Sequence, residues 1–290
     1  MPNDNKILKC RGRELQFGAM PLFMGVINVT PDSFSDGGRF FTTQDAVDRA
    51  IKLIADGATI IDIGGESTRP GAEPVEADKQ IARVEPVIKK LRSVAPECFI
   101  SIDTRNSRVA AAALRAGADI VNDVSGLNYD QEIAAVAAEF DAGLILMHMR
   151  GLPSTMQSSE NSTYQNITEE VKVFLNNATQ SAIRSGVKRE NLIIDPGIGF
   201  AKYLNGNRCL LTEIHRLKEL NYPLLVGISR KKFIGEVLNI NNPDERIFGT
   251  IGVAAYLAEA GVEIIRLHDI KPCKEALTMF LWCKQQQEKQ

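Results

Sequence analysis

Eight short apolar runs recur along this chain, each followed by a longer stretch with helical periodicity. That alternation restricts the fold more than any other feature. The runs are LFMGVIN from Leu22, ATIIDIG from Ala58, CFISID from Cys98, DIVNDV from Asp119, GLILMHM from Gly143, NLIIDP from Asn191, PLLVGIS from Pro223 and EIIRLHD from Glu263. Short apolar runs of this kind read as buried parallel strands, and the amphipathic stretches between them as crossover helices. Helices are expected over Gln44–Asp56, Lys79–Val94, Ser107–Ala116, Gln131–Phe140, Thr168–Ser185, Arg208–Asn221, Pro243–Ala260 and Lys271–Gln287. Gly57, Gly117, Gly186 and Gly261 follow several of them, where a left-handed C-cap feeds the next strand. Eight βα units in 290 residues are the size of an α/β protein of the (β/α)8, or TIM, barrel type. The alternative is an open doubly wound sheet, which needs no eighth unit and usually carries G-x-G-x-x-G after its first strand. No linker divides the pattern, so residues 1–290 read as a single domain. ILKCRGRELQF, within about residues 6–18, reads as an N-terminal β-hairpin turning at Arg11-Gly12-Arg13 and lying on the barrel floor.

Bulk properties narrow the partners. A formal charge of −2, from 34 basic and 36 acidic residues, argues against nucleic acid or a membrane surface held by bulk electrostatics. Five cysteines, Cys10, Cys98, Cys209, Cys273 and Cys283, are odd in number and form no C-x-x-C pair. They read as reduced thiols of a cytoplasmic protein. MPNDNKILKC lacks the apolar core of a secretory signal, and no apolar run is long enough to span a bilayer. A soluble protein is expected.

In a barrel the chemistry sits at the C-terminal ends of the strands. Those positions hold Asn28, Asp62, Asp103, Asn122, His148, Asp195, Ser229 to Lys231, and Arg266 with His268. Every run thus ends in a hydrogen-bonding or charged group. Water at strand ends accounts for any one of them, but not for carboxylates embedded in IIDIGG, SIDT and IIDPG. Such a carboxylate is partly desolvated and needs donors to stay ionised. A nitrogen heterocycle with an amine beside a ring N–H would supply them in two-point fashion, as arginine does. The last two units carry the opposite charge, Arg230 and Lys231 in GISRKKFIG and Arg266 with His268 in IIRLHD. Strands seven and eight of barrels recurrently bind phosphate. Asn28 lies next door once the barrel closes, and with Asp36 offers oxygens for Mg2+ on a diphosphate.

Two loops are more specific still: GVINVTPDSFSDGG, and IIDIGGESTRPGAEPV from Ile60 to Val75. With SIDT, NDVSG, LMHMRG, DPGIGF, GISRK and RLHD in the same order, the chain resembles the dihydropteroate synthase family along its whole length. The resemblance implies a barrel enzyme, a homodimer and a sulfonamide target. It joins 6-hydroxymethyl-7,8-dihydropterin diphosphate to p-aminobenzoate and releases diphosphate. It assigns Asp103, Asn122, Met147, Asp195, Phe200, Lys231 and Arg266 to the pterin, and Asn28, Arg266 and His268 to the diphosphate. Asn28 and Asp36 fall near Mg2+, while Phe34, Thr68, Arg69, Pro70 and Lys232 fall around p-aminobenzoate. Asp103, Lys231, Asp36 and Asn28 are the implied catalytic group. The chain departs from the family's usual pattern at Ala201 and Tyr203 (GFAKY for GFGKT), at Gly206-Asn207 for a His-Asn pair, and at Lys232 where some members have serine.

The expected reaction is a displacement at the pterin methylene in which diphosphate leaves before the arylamine attacks. Asn28, Arg266, His268 and Mg2+ stabilise the leaving group and Asp103 supports the pterin cation. A lid must keep that cation from water, with Phe34 as its apolar wall, Asp36 tied to the metal and Gly37-Gly38 as its hinge. Phe40 and Phe41 read as rim packing. The rival readings are a pterin-dependent methyltransferase, which has no use for the anion pocket or the lid, and a non-catalytic pterin-binding protein.

Overall fold

The computed structural model describes residues 7–30, 42–67, 71–152 and 154–285. An antiparallel hairpin comes first, β1 (Ile7–Cys10) and β2 (Arg13–Gln16), with Ile7 opposite Gln16 and Cys10 opposite Arg13. Arg11 and Gly12, both at positive φ, make the turn where the sequence places it. Eight parallel strands follow: β3 (Leu22–Asn28), β4 (Ile60–Gly64), β5 (Phe99–Asp103), β6 (Ile120–Asp123), β7 (Gly143–Met147), β8 (Leu192–Asp195), β9 (Leu225–Gly227) and β10 (Ile264–Leu267). β10 pairs with β3, and an isolated bridge between Ile194 and Leu224 joins β8 to β9. The first and last strands of the set are therefore neighbours, which makes this a closed (β/α)8 barrel and excludes the open sheet.

The surrounding helices are α1 (Thr43–Asp56), α2 (Ala77–Val94), α3 (Ser107–Ala116), α4 (Glu132–Glu139), α5 (Ser159–Ser162), α6 (Ile167–Arg184), α7 (Leu204–Thr212), α8 (Ile214–Lys218), α9 (Lys232–Leu238), α10 (Ile247–Glu259) and α11 (Ile270–Gln285). Gly57 and Gly117 end α1 and α3 in the left-handed conformation, at φ 114° and 116°, as the glycine spacing predicts. Two segments differ from expectation. The helix expected over Arg208–Asn221 is two helices, because the chain tightens at Glu213, whose carbonyl accepts from the Arg216 N–H three residues on. The segment from Pro243 begins as a 3-10 turn, since proline has no N–H and the Asn242 side chain takes up the Asp244 N–H instead. No described helix is long and apolar enough to cross a membrane.

Strand side chains alternate between two cores. Those facing out, such as Ile61, Ile63, Ile100, Ile102, Leu144 and Leu146, pack against the helices. Those facing in at the strand starts, Met24, Ile60, Phe99, Ile120, Ile145, Ile193, Leu225 and Ile264, meet Leu8, Cys10 and Leu15 of the hairpin. The hairpin is thus a plug for the N-terminal mouth. Arg13 fastens it by donating to both oxygens of Asp119 at 3.1 Å while its guanidinium lies 4.0 Å from the centre of the Phe99 ring. Asp119 also accepts from Arg92 and from the Ile100 N–H. Asp119→Ala takes the carboxylate from Arg13, Arg92 and the Ile100 N–H at once, leaving the two guanidiniums only backbone carbonyls as acceptors among the described residues. It is expected to lower stability by about 3 kcal/mol. Urea denaturation measures this, and a loss under about 1 kcal/mol would show the floor contacts to be ornamental. With one mouth plugged, the other is left for ligands.

Candidate active site

Two residues beyond the apolar floor layer, the same inward faces turn polar. They carry polar Asp62, Ser101, Asn122, Asp195 and Arg266 beside Val26, Met147 and Gly227, and one step further Asn28 and Asp103. The strand register sets Asp103 opposite Asn122 and Gly64, and Met147 opposite Asp195. Asp62, Asp103, Asn122 and Asp195 are all buried.

Arg266 binds the acidic side together. Its Nε donates to Asp62 Oδ2 at 2.7 Å and a terminal nitrogen donates to Asp103 Oδ2 at 2.9 Å. Asn122 Nδ2 donates to the same Asp62 oxygen at 3.1 Å. The other oxygens, Asp62 Oδ1 and Asp103 Oδ1, are buried with no hydrogen-bond partner among the described residues. Burial and the Asp62 charge push the Asp103 carboxyl up from its ordinary range, and Arg266 only partly opposes them. The donors that the sequence requires for these carboxylates are therefore half supplied from within.

Asp195 and Lys231 form a second centre. Asp195 Oδ1 accepts the Gly197 N–H at 2.7 Å, and burial raises its carboxyl against the pull of Lys231. Burial lowers the Lys231 ammonium to about 8, with Asp195 opposing. Both groups thus move toward neutrality. Lys231 Nζ donates to the Ile198 carbonyl and sits 4.7 Å from the centre of the Phe200 ring. Phe200 packs on a cluster of Val124, Met147, Met149, Met156 and Ala201, so an apolar wall lies beside Lys231.

The turn after β9 sorts its three polar residues. Arg230 sits at φ 59°, a left-handed conformation that costs a non-glycine residue about 1–2 kcal/mol. Asp269 takes its Nε and a terminal nitrogen at 2.9 and 2.8 Å, Asp244 takes another, and its N–H donates to Thr250. Arg230 is thus tied to Asp269 and Asp244, while Lys231 turns toward the Ile198 carbonyl and Phe200. Ser229 lies 3.0 Å from His268 Nδ1. Lys232 stands apart: it is 84% exposed and pairs with Glu236 at 3.3 Å along α9. Asn28 borders the acidic cluster, since a Cβ added to Gly64 would lie 3.7 Å from Asn28 Oδ1 and 3.6 Å from Asp103 Cβ. Phe34, Asp36, Thr68, Arg69 and Pro70 lie outside the described residues. Among the described residues no three His, Cys, Asp or Glu side chains converge as a metal cage. Mg2+ commonly keeps several waters and binds through one or two carboxylates plus substrate phosphates; at this mouth Asn28 offers an amide oxygen.

A family model described as pterin binding enzyme matches residues 24–268. The dihydropteroate synthase of Streptococcus pyogenes is 47% identical over 258 residues, spanning 89% of this chain and 93% of its own. The chain belongs to the dihydropteroate synthase family. It is a transferase of that family. The solved dihydropteroate synthase of Xanthomonas albilineans with 4-aminobenzoic acid matches it at TM-score 0.89 and 37% identity, over 97% of this chain and 99% of that one. A structure from the same organism in complex with 7,8-dihydropteroate matches at 0.84 and 34%, over 96% and 98%.

Sequence reasoning missed the residues that hold the family's GFGKT-like loop. Asn207 accepts the Gly199 N–H at 2.7 Å and donates to the carbonyls of Lys202 and Tyr203. Lys202 is buried, with Nζ 3.0 Å from His148 Nδ1 and 2.7 Å from the Phe200 carbonyl. Burial drives the pKa of both Lys202 and His148 well down. Lys202 stands among Phe200, Ala201, Tyr203 and Leu204, but a lysine by its type reads as exposed, so the residue itself gives no signal of burial. Two of the departures have a physical reading. Ala201 is at φ 51°, where the family's glycine is at ease, and its fully buried methyl in the methionine cluster, worth about 0.8 kcal/mol, offsets part of the strain. Tyr203 caps α7 without a side-chain hydrogen bond, which the family's threonine could make.

Proposed function

We propose that the enzyme condenses 6-hydroxymethyl-7,8-dihydropterin diphosphate with p-aminobenzoate, giving 7,8-dihydropteroate and diphosphate. The observation that carries this reading is the pair of orphaned buried oxygens, Asp62 Oδ1 and Asp103 Oδ1, among Asn122, Asp195 and Lys231. A donor-rich flat heterocycle suits them, and the Phe200–Met147 wall suits its face. Arg266 and His268 take the diphosphate, while Asp103 and Lys231 attend the ring as charge develops. Mg2+, held by Asn28 and Asp36 with diphosphate oxygens, would neutralise the leaving group. The methylene–oxygen bond breaks before the arylamine attacks, since the electron-rich dihydropterin delocalises the positive charge. Phe34, Thr68, Arg69, Pro70 and Lys232 belong to the p-aminobenzoate end.

The chain works as one barrel domain, in the cytoplasm, where its five unpaired cysteines stay reduced. It works as a homodimer: Val237, Phe248, Tyr256, Met279 and Trp282 are exposed apolar side chains on the adjoining helices α9, α10 and α11.

Diphosphate release on mixing the two substrates with Mg2+ tests the proposal. His268→Gln is expected to raise KM for the pterin diphosphate by about tenfold, the worth of one hydrogen bond to a charged group, and to leave KM for p-aminobenzoate in place. No release from the unaltered enzyme, or release only with a methylated folate, overturns the reading.

A further inference from the structure

His268 can serve an anion only through a ring nitrogen that bears hydrogen, and a neutral imidazole has one such nitrogen. Burial, with Arg266, Arg230 and Arg49 outweighing Asp269, holds its pKa down at about 3. The ring is neutral at working pH, so its tautomer decides whether it offers the barrel mouth a donor or a lone pair.

Ser229 settles the tautomer. Its Oγ accepts the His268 backbone N–H at 3.2 Å and lies 3.0 Å from His268 Nδ1. Were Nδ1 protonated, both N–H groups would point at Oγ. The buried serine hydrogen would then have no acceptor among the described residues, at a cost of about 1–3 kcal/mol. With Ser229 O–H donating to Nδ1 instead, all three groups are satisfied. His268 Nε2 then carries the hydrogen; among the described residues the hydrogen bonds of His268 run to Ser229 Oγ through its backbone N–H and Nδ1, which leaves Nε2 for a ligand.

We propose that Ser229 is a positioning residue that holds His268 as its Nε2–H tautomer, so that a neutral imidazole donates to a diphosphate oxygen of the pterin substrate. The donation rests on the anion-pocket reading above; the tautomer stands on the local geometry alone. A neutral donor adds direction at the leaving group without another positive charge beside Arg266 and Arg230.

Long-range 1H–15N correlation spectra of the full-length enzyme labelled at histidine test this. The chain has three histidines, and His268 is assigned by its loss in His268→Gln. The expected result without ligand is a pyridine-like Nδ1 and a pyrrole-like Nε2, with Nε2 shifting on addition of inorganic pyrophosphate and Mg2+. Ser229→Ala is expected to mix the tautomers and weaken pyrophosphate binding by about tenfold, and Ser229→Thr, which keeps the hydroxyl, to restore both. A protonated Nδ1 in the unaltered enzyme, or tautomer populations unchanged in Ser229→Ala, overturns the proposal. A pyridine-like Nδ1 beside His268 signals that pyrophosphate leaves unmoved would sink the anion pocket and keep the serine lock.

Discussion

Arg266→Met is expected to lower kcat/KM by about a thousandfold and stability by about 3–5 kcal/mol. The guanidinium reaches Asp62 at 2.7 Å and Asp103 at 2.9 Å, and both carboxylates are buried. Methionine fills the space but leaves two acids facing one another in the barrel. The damage depends on pH, and its sign follows from Asp103. Burial and Asp62 already raise that carboxyl in the folded protein, and Arg266 is the main group pulling it down. A folded-state pKa above the unfolded one means that stability is fully present below about pH 4, the unfolded carboxyl value. It is lost as the pH rises through the folded value. Without Arg266 the folded value climbs further, so the gap between variant and unaltered enzyme widens from pH 5 to pH 8. Urea midpoints at the two pH values measure it. A gap independent of pH would mean that Arg266 does not compensate the buried acids.

Asp195→Ala is expected to weaken pterin binding by about a hundredfold or more, the loss of two hydrogen bonds to a carboxylate at about 1.5–3 kcal/mol each. Asp195 spends one contact on the Gly197 N–H and has the other lone pairs for a ring N–H and an exocyclic amine. The same change removes the one group that raises the Lys231 pKa against burial and Arg266. The Lys231 ammonium should then titrate below its present value of about 8. Calorimetry with a pterin reads the first effect, and 15N titration of the lysine side chain reads the second. Binding within about threefold of the unaltered enzyme, with Lys231 unmoved, would remove both residues from the pterin site.

Whatever repeats along the chain or alternates within a run was legible in the sequence. The eight strands, the floor hairpin and the glycine caps at Gly57 and Gly117 are where local patterning puts them. A period of two also separates Asp62, facing inward, from Ile61 and Ile63, facing the helices, because side-chain direction in a strand is a local property. Helix breaks were not legible: nothing near Glu213 marks where a helix tightens.

The sequence by itself determined that Asp62, Asp103, Asn122, Asp195 and Arg266 stand at the barrel mouth, since each follows from the alternation of its own strand; His148 and Arg230, read there too, turn to other partners. Only the tertiary structure decided how they pair. Arg266 meets Asp62 and Asp103 across 204 and 163 positions of chain, Arg230 turns away to Asp269, and Lys202 is buried against His148. Such partnerships depend on the closure that brings β10 beside β3, and electrostatics acts through the space between charges, whatever the length of chain that joins them.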